Sequence, residues 1–102
     1  MEERQIRNRR IWSVLFIINS INKCQELHPS KKDWQDLDNA IVAVKEYKPQ
    51  YRDIQTAIRF CQSEYSKGYC NRELTKQDLF VIRNIRQLIE LNKLPVERPK
   101  SI

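Results

Sequence analysis

The run Ile11-Trp12-Ser13-Val14-Leu15-Phe16-Ile17-Ile18 is eight residues with one hydroxyl among them. Read alone, it fits a strand, a secretory segment or the middle of a buried helix. Its flanks choose the helix. Ile6 before it and Ile21, Cys24 and Leu27 after it continue the apolar positions at helical steps. A first helix is therefore read from about Glu3 to Leu27. Its middle is apolar nearly all round, which predicts the central, most buried helix. Arg4, Arg7, Arg9 and Arg10 precede the run, as in a signal peptide, but Asn19, Ser20 and Asn22 follow it and no small-residue cleavage site does. Eight apolar residues also fall far short of the roughly 20 that span a bilayer. The expectation is a soluble, unprocessed, cytoplasmic protein with no membrane partner.

Outward from that run, caps and stripes place three more helices. Ser30 with Asp33 reads as a capping box after the His28-Pro29 break. Trp34, Leu37, Ile41, Val44 and Lys48 then make a three-four seam, with Ala40 beside it, that Lys48-Pro49 stops, because the residue before proline avoids the helical region. A third helix opens near Pro49, with Tyr51, Ile54, Ile58, Cys61 and Tyr65 as its seam and Gly68 as a left-handed C-terminal cap. Thr75 with Asp78 opens a fourth, buried through Val81, Ile82, Ile85, Leu88 and Ile89 and closed by Pro95. The fold class expected is all-α: four helices, antiparallel and up-down, in one domain over residues 1–95, with a loose tail over 96–102. The expected core is Trp12, Leu15, Phe16, Ile41, Ile54, Ile58, Ile82, Ile85 and Ile89.

Composition removes whole classes of function. One glycine, Gly68, in 102 residues leaves no material for a phosphate loop, a dinucleotide turn or a nucleophile elbow. His28 is the sole histidine and sits in a proline turn. Asp33 and Asp36, like Glu2 and Glu3, lie at helix starts, where carboxylates are ordinary dipole partners. No catalytic residue is assigned, and an enzyme is not expected. Cys24, Cys61 and Cys70 are odd in number and form no CxxC. With His28 they make a conceivable zinc set, but Cys24 and Cys61 fall on core stripes, where cysteine packs as a small apolar group. No metal or other cofactor is expected.

The basic residues are the functional signal. Nineteen Lys and Arg against thirteen Asp and Glu give a net charge of +6 and a pI near 9.4, which favours acidic partners. Ten of the nineteen are arginine, suited to bidentate phosphate contact. Arg4, Arg7, Arg9 and Arg10 cover the start of the first helix. Arg52 and Arg59 share a face of the third. Lys76, Arg83, Arg86 and Lys93 share roughly one side of the fourth. These ten residues are the candidate contacts to a nucleic-acid backbone. Trp12, Trp34, Tyr51, Phe60 and Tyr65 sit on stripes and read as core, which leaves Tyr47 and Tyr69 as stacking candidates.

In size, charge and helix content the chain resembles the small helical subunits of CRISPR effector complexes. That resemblance implies a non-catalytic antiviral-defence subunit that self-associates, packs on larger protein subunits and holds RNA or DNA through basic side chains. Two other readings fit the same sequence. One is a phage- or plasmid-encoded inhibitor or immunity protein acting by protein–protein contact. The other is a small helical DNA-binding regulator, which would dimerise and prefer one DNA sequence.

Overall fold

The computed structural model describes residues 2–68, 73–94 and 96. Those residues form five helices: α1 (Glu3–Cys24), α2 (Lys31–Tyr47), α3 (Tyr51–Ser66), α4 (Lys76–Arg83) and α5 (Ile85–Glu90). No strand occurs among them, and none of the helices is long and apolar enough to cross a membrane. The chain is all-helical, as its spacing predicts. The loose tail expected over 96–102 lies outside the described residues except for Val96, which is half-buried.

Local chemistry sets most helix ends. At α2, the Ser30 hydroxyl accepts from the Asp33 N–H and the Asp33 carboxylate accepts from the Ser30 N–H, at 3.1 and 2.8 Å. The Ser30 backbone and hydroxyl bonds, aided by Lys23 and Lys32, hold the Asp33 carboxyl below its ordinary pKa of 3.8. Thr75 and Asp78 repeat the box at α4. A third box, unread in the sequence, opens α3: the Asp53 carboxylate accepts from the Gln50 N–H at 2.8 Å. Lys48 ends α2 in the left-handed region at φ 50°, and Gly68 does the same after α3 at φ 87°.

Two boundaries differ from expectation. The first helix ends at Cys24, so Leu27 lies beyond it, 87% exposed. Lys23 and Cys24 are followed by the polar pair Gln25-Glu26, and the helix stops before it reaches Leu27. His28 accordingly lies outside the helix that carries Cys24, and the two do not share a helical face. The fourth helix is two helices. At Asn84 the backbone leaves helical geometry, at φ −104° and ψ 6°. The Asn84 side-chain amide donates to the Phe80 carbonyl at 2.8 Å, sharing that acceptor with Asn84's own backbone N–H at 3.2 Å, the side-chain back-bonding that bends helices. α5 then closes in a Schellman motif: the Lys93 N–H bonds the Leu88 carbonyl and the Asn92 N–H the Ile89 carbonyl, with Asn92 left-handed at φ 55°.

α1 is the central helix, packed on both α2 and α3; α4 packs on α3 and α5 on α2. α1 and α2 run antiparallel. At one end the Cys24 thiol donates to the Asp33 carbonyl, and at the other the ring of Trp12 meets that of Tyr47 edge-on at 6.5 Å. Small residues on both helices are buried as well: Ser13 and Ser20 on α1, Ala40 and Ala43 on α2. Val14, Ile17, Ile18 and Ile21 join Leu37, Val44, Ile54, Ile58, Ile82, Ile85 and Ile89 in one core. Leu15, Phe16 and Ile41 border it, partly buried. Trp12 does not belong to it, being 50% exposed. With apolar residues on every side of its middle, α1 cannot bury them all: Trp12 stays exposed, and Leu15 and Phe16 are only half-buried.

Candidate nucleic-acid interface

A concentration of positive charge drawn from several elements forms where α2 turns into α3. The last turn of α2 supplies Lys45, and its cap supplies Lys48. Pro49, buried, and Gln50 turn the chain into α3. Against that turn lie the Asn84 break and the start of α5, which bring Arg83 and Arg86. Arg86 lines two adjoining recesses. One, about 80 Å³, it shares with Lys45 and Lys48. The other, about 340 Å³, it shares with Gln50, Tyr51 and Arg83. The single carboxylate at both is Glu90, bonded back to Arg86 Nε at 3.6 Å on its own helix.

Among the described residues lining the two recesses, the cluster holds four cations and one anion, all exposed. Its backbone is set by local features: Lys48 in a left-handed conformation ordinarily left to glycine, a proline, and a capping box. Tyr51 stands beside it, 65% exposed, and its hydroxyl accepts from the Gln55 amide at 2.7 Å. Such a surface can bind a polyanion. Exposed guanidinium and ammonium groups spaced around a concave turn suit successive phosphates.

The other expected contacts are scattered. Arg4, Arg7 and Arg9 are exposed on the first turns of α1. Because Trp12 lies level with Tyr47, those turns extend past the end of α2, so they share the end of the molecule that carries Lys48. At 1.5 Å per residue they reach about 13 Å beyond it. Arg10 differs: it is half-buried, with its Nε out of solvent and without a hydrogen-bond partner. Arg52 and Arg59 are exposed on α3, Arg52 in its first turn and Arg59 two turns further on, but neither lines the two recesses; Arg59 Nε bonds the Gln55 carbonyl at 3.5 Å. Lys76, Arg83, Arg86 and Lys93 are exposed but do not share one helix side, because the break at Asn84 separates them. Lys93 lies instead in the cleft between α2 and α5, with Lys45, Trp34 and Leu94.

The aromatic reading needs correction as well. Trp34 is buried, but Tyr51, Phe60 and Tyr65 are exposed alongside Trp12. On α3 only the narrow stripe of Ile54, Ala57, Ile58 and Cys61 faces the core. Tyr51 and Tyr65 extend that seam at its ends, past its neighbours. Tyr47 packs on Trp12, and Tyr69 lies outside the described residues. Lys45 and Lys48 were missed because only the fold sets them beside Arg86. Among the described residues no three His, Cys, Asp or Glu converge as a metal site. Cys24 and Cys61 are buried, and Cys70 lies outside the described residues. No protein-family model, curated protein or solved structure matches the chain.

Proposed function

We propose that this chain is a non-catalytic helical binding module whose basic end contacts a nucleic-acid backbone within a larger nucleoprotein complex, as the small CRISPR subunits it resembles do. In this reading the fold is an antiparallel bundle of four places, the fourth shared by α4 and α5. The observation that carries the function is the convergence of Lys45, Lys48, Arg83 and Arg86 on the α2–α3 turn. Three separate elements bring cations to one concave place, at a cost in mutual repulsion that a bound polyanion relieves. Arg4, Arg7 and Arg9 extend the same end of the molecule, and contact there is with phosphates rather than base edges.

The test is binding of unrelated DNA and RNA oligonucleotides across a salt series. Phosphate contacts release counterions, so affinity should fall steeply with salt. Arg83→Glu with Arg86→Glu should weaken all sequences alike and lower the slope of log affinity against log salt by about two. The melting temperature should hold, since both residues are exposed. A parent protein that binds no oligonucleotide at low salt would sink the reading. Strong preference for one duplex sequence, with dimerisation, would favour the regulator instead.

A further inference from the structure

α1 carries a second stripe that is mostly exposed and touches the core only through Phe16 at its centre. Gln5, Arg9, Trp12, Phe16, Asn19 and Lys23 follow one another at alternating four- and three-residue steps. That is the spacing of a seam made to meet another helix. Five of the six are exposed and Phe16 is half-buried. At its centre the Trp12 and Phe16 rings lie 5.2 Å apart at 33°, and Tyr47 of α2 stands edge-on to Trp12. Three aromatic rings thus support one another on a surface that faces solvent. Trp and Tyr are the residues that most often anchor protein interfaces.

Charge identifies the occupant. From Arg4 to Gln25 the chain has no aspartate or glutamate and five cations. Two of them, Arg9 and Lys23, bracket the aromatic centre on the stripe itself. We infer that this face of α1 docks an acidic amphipathic helix of a partner protein, its apolar residues on Trp12 and Phe16 and its carboxylates toward Arg9 and Lys23. A second copy of this chain fits less well, because it would set two acid-free, five-cation helices side by side. Nucleic acid fits less well too: the Trp12 ring already has the Phe16 and Tyr47 rings beside it, at 5.2 and 6.5 Å, which leaves less of it for a base to stack on. The stripe shares no residue with the α2–α3 cluster except Arg9, counted there only among the outlying arginines, so it goes beyond the proposed function and does not rest on it.

The experiment uses two labelled 18-residue peptides with leucine at helical i, i+3, i+4 and i+7 positions. The remaining positions are glutamate-rich in one and lysine-rich in the other. Fluorescence anisotropy with the full chain should show saturable binding of the glutamate peptide, at least ten-fold tighter than the lysine peptide. Trp12→Ala should weaken it ten-fold or more with the helical spectrum retained. Arg9→Glu with Lys23→Glu, both at exposed positions, should reverse the preference between the peptides, and this arm stands even if the Trp12 variant folds poorly. Absence of binding, equal binding of both peptides, or no change in the charge-reversed variant overturns the proposal. So does a Trp12-dependent dimer in sedimentation, which would make a second copy the occupant. So does an oligonucleotide that displaces the peptide and needs Trp12 to bind.

Discussion

α1 and the α4–α5 segment are both rich in apolar residues, yet they are held in place by opposite means. α1 runs 22 residues with no side-chain cap at its start. It is specified by burial, through Val14, Ile17, Ile18 and Ile21 between α2 and α3. α4 and α5 have 8 and 6 residues, lengths at which an isolated helix is unstable in water. Beyond the burial of Ile82, Ile85 and Ile89, they are specified by local bonds: the Thr75–Asp78 box, the Asn84 side chain on the Phe80 carbonyl and the Schellman turn at Asn92. A long helix can ignore its ends but depends on neighbours to choose its buried face. A short one depends on its ends.

The largest expected effect tests the burial half of this contrast. Ile17 is 0% exposed at the centre of α1. Ile17→Ala should cost about 2–5 kcal/mol in chemical denaturation. A loss below about 1 kcal/mol would mean that α1 is not the central helix.

A smaller effect tests the local half. Thr75→Ala removes the hydroxyl that accepts from the Asp78 N–H at 3.1 Å and should cost about 1 kcal/mol. Hydrogen exchange should rise first in α4 and leave the middle of α1 protected. If protection fell equally in both, the two regions would be one cooperative unit and the contrast would fail.

The smallest effect is a pH dependence at the other cap. Asp33 has its carboxyl pKa depressed, chiefly by the Ser30 backbone and hydroxyl bonds. Its ionised form therefore adds stability that is fully present above the ordinary value of 3.8 and is lost as pH falls through the lowered folded value. The stability gap between the parent and Asp33→Asn should stay constant from neutral pH down to about 5 and close below about 4. A gap that widened on acidification would contradict the assigned bond.

How much was legible follows the same division. Ser30, Thr75, Lys48-Pro49 and Gly68 mark their boundaries because capping and turn chemistry is contained in four or five adjacent residues. Asn84 hid its break, since Val81, Ile82, Ile85, Leu88 and Ile89 keep helical spacing straight across it. Gln50 hid its cap because Pro49 offered a sufficient start signal by itself. The exposure of Trp12, Tyr51, Phe60 and Tyr65 was illegible for another reason. Periodicity says which residues share a side of a helix; it does not say how wide a neighbour covers that side.

The candidate site divides likewise. Arg83 and Arg86 were readable as a charged pair, but their company with Lys45 and Lys48 was not, since about 40 residues of chain separate them. What this sequence determined by itself was helical structure throughout, most helix ends, a basic surface rich in arginine and too little glycine for phosphate-loop chemistry. These depend on composition and on contacts within a few residues. What only the tertiary structure decided was which side of α1 is buried, that the last helix is two, and that cations from α2, α4 and α5 meet at one turn. Those depend on contacts between residues far apart in the chain, and helical periodicity carries no information about which helix a given side will meet.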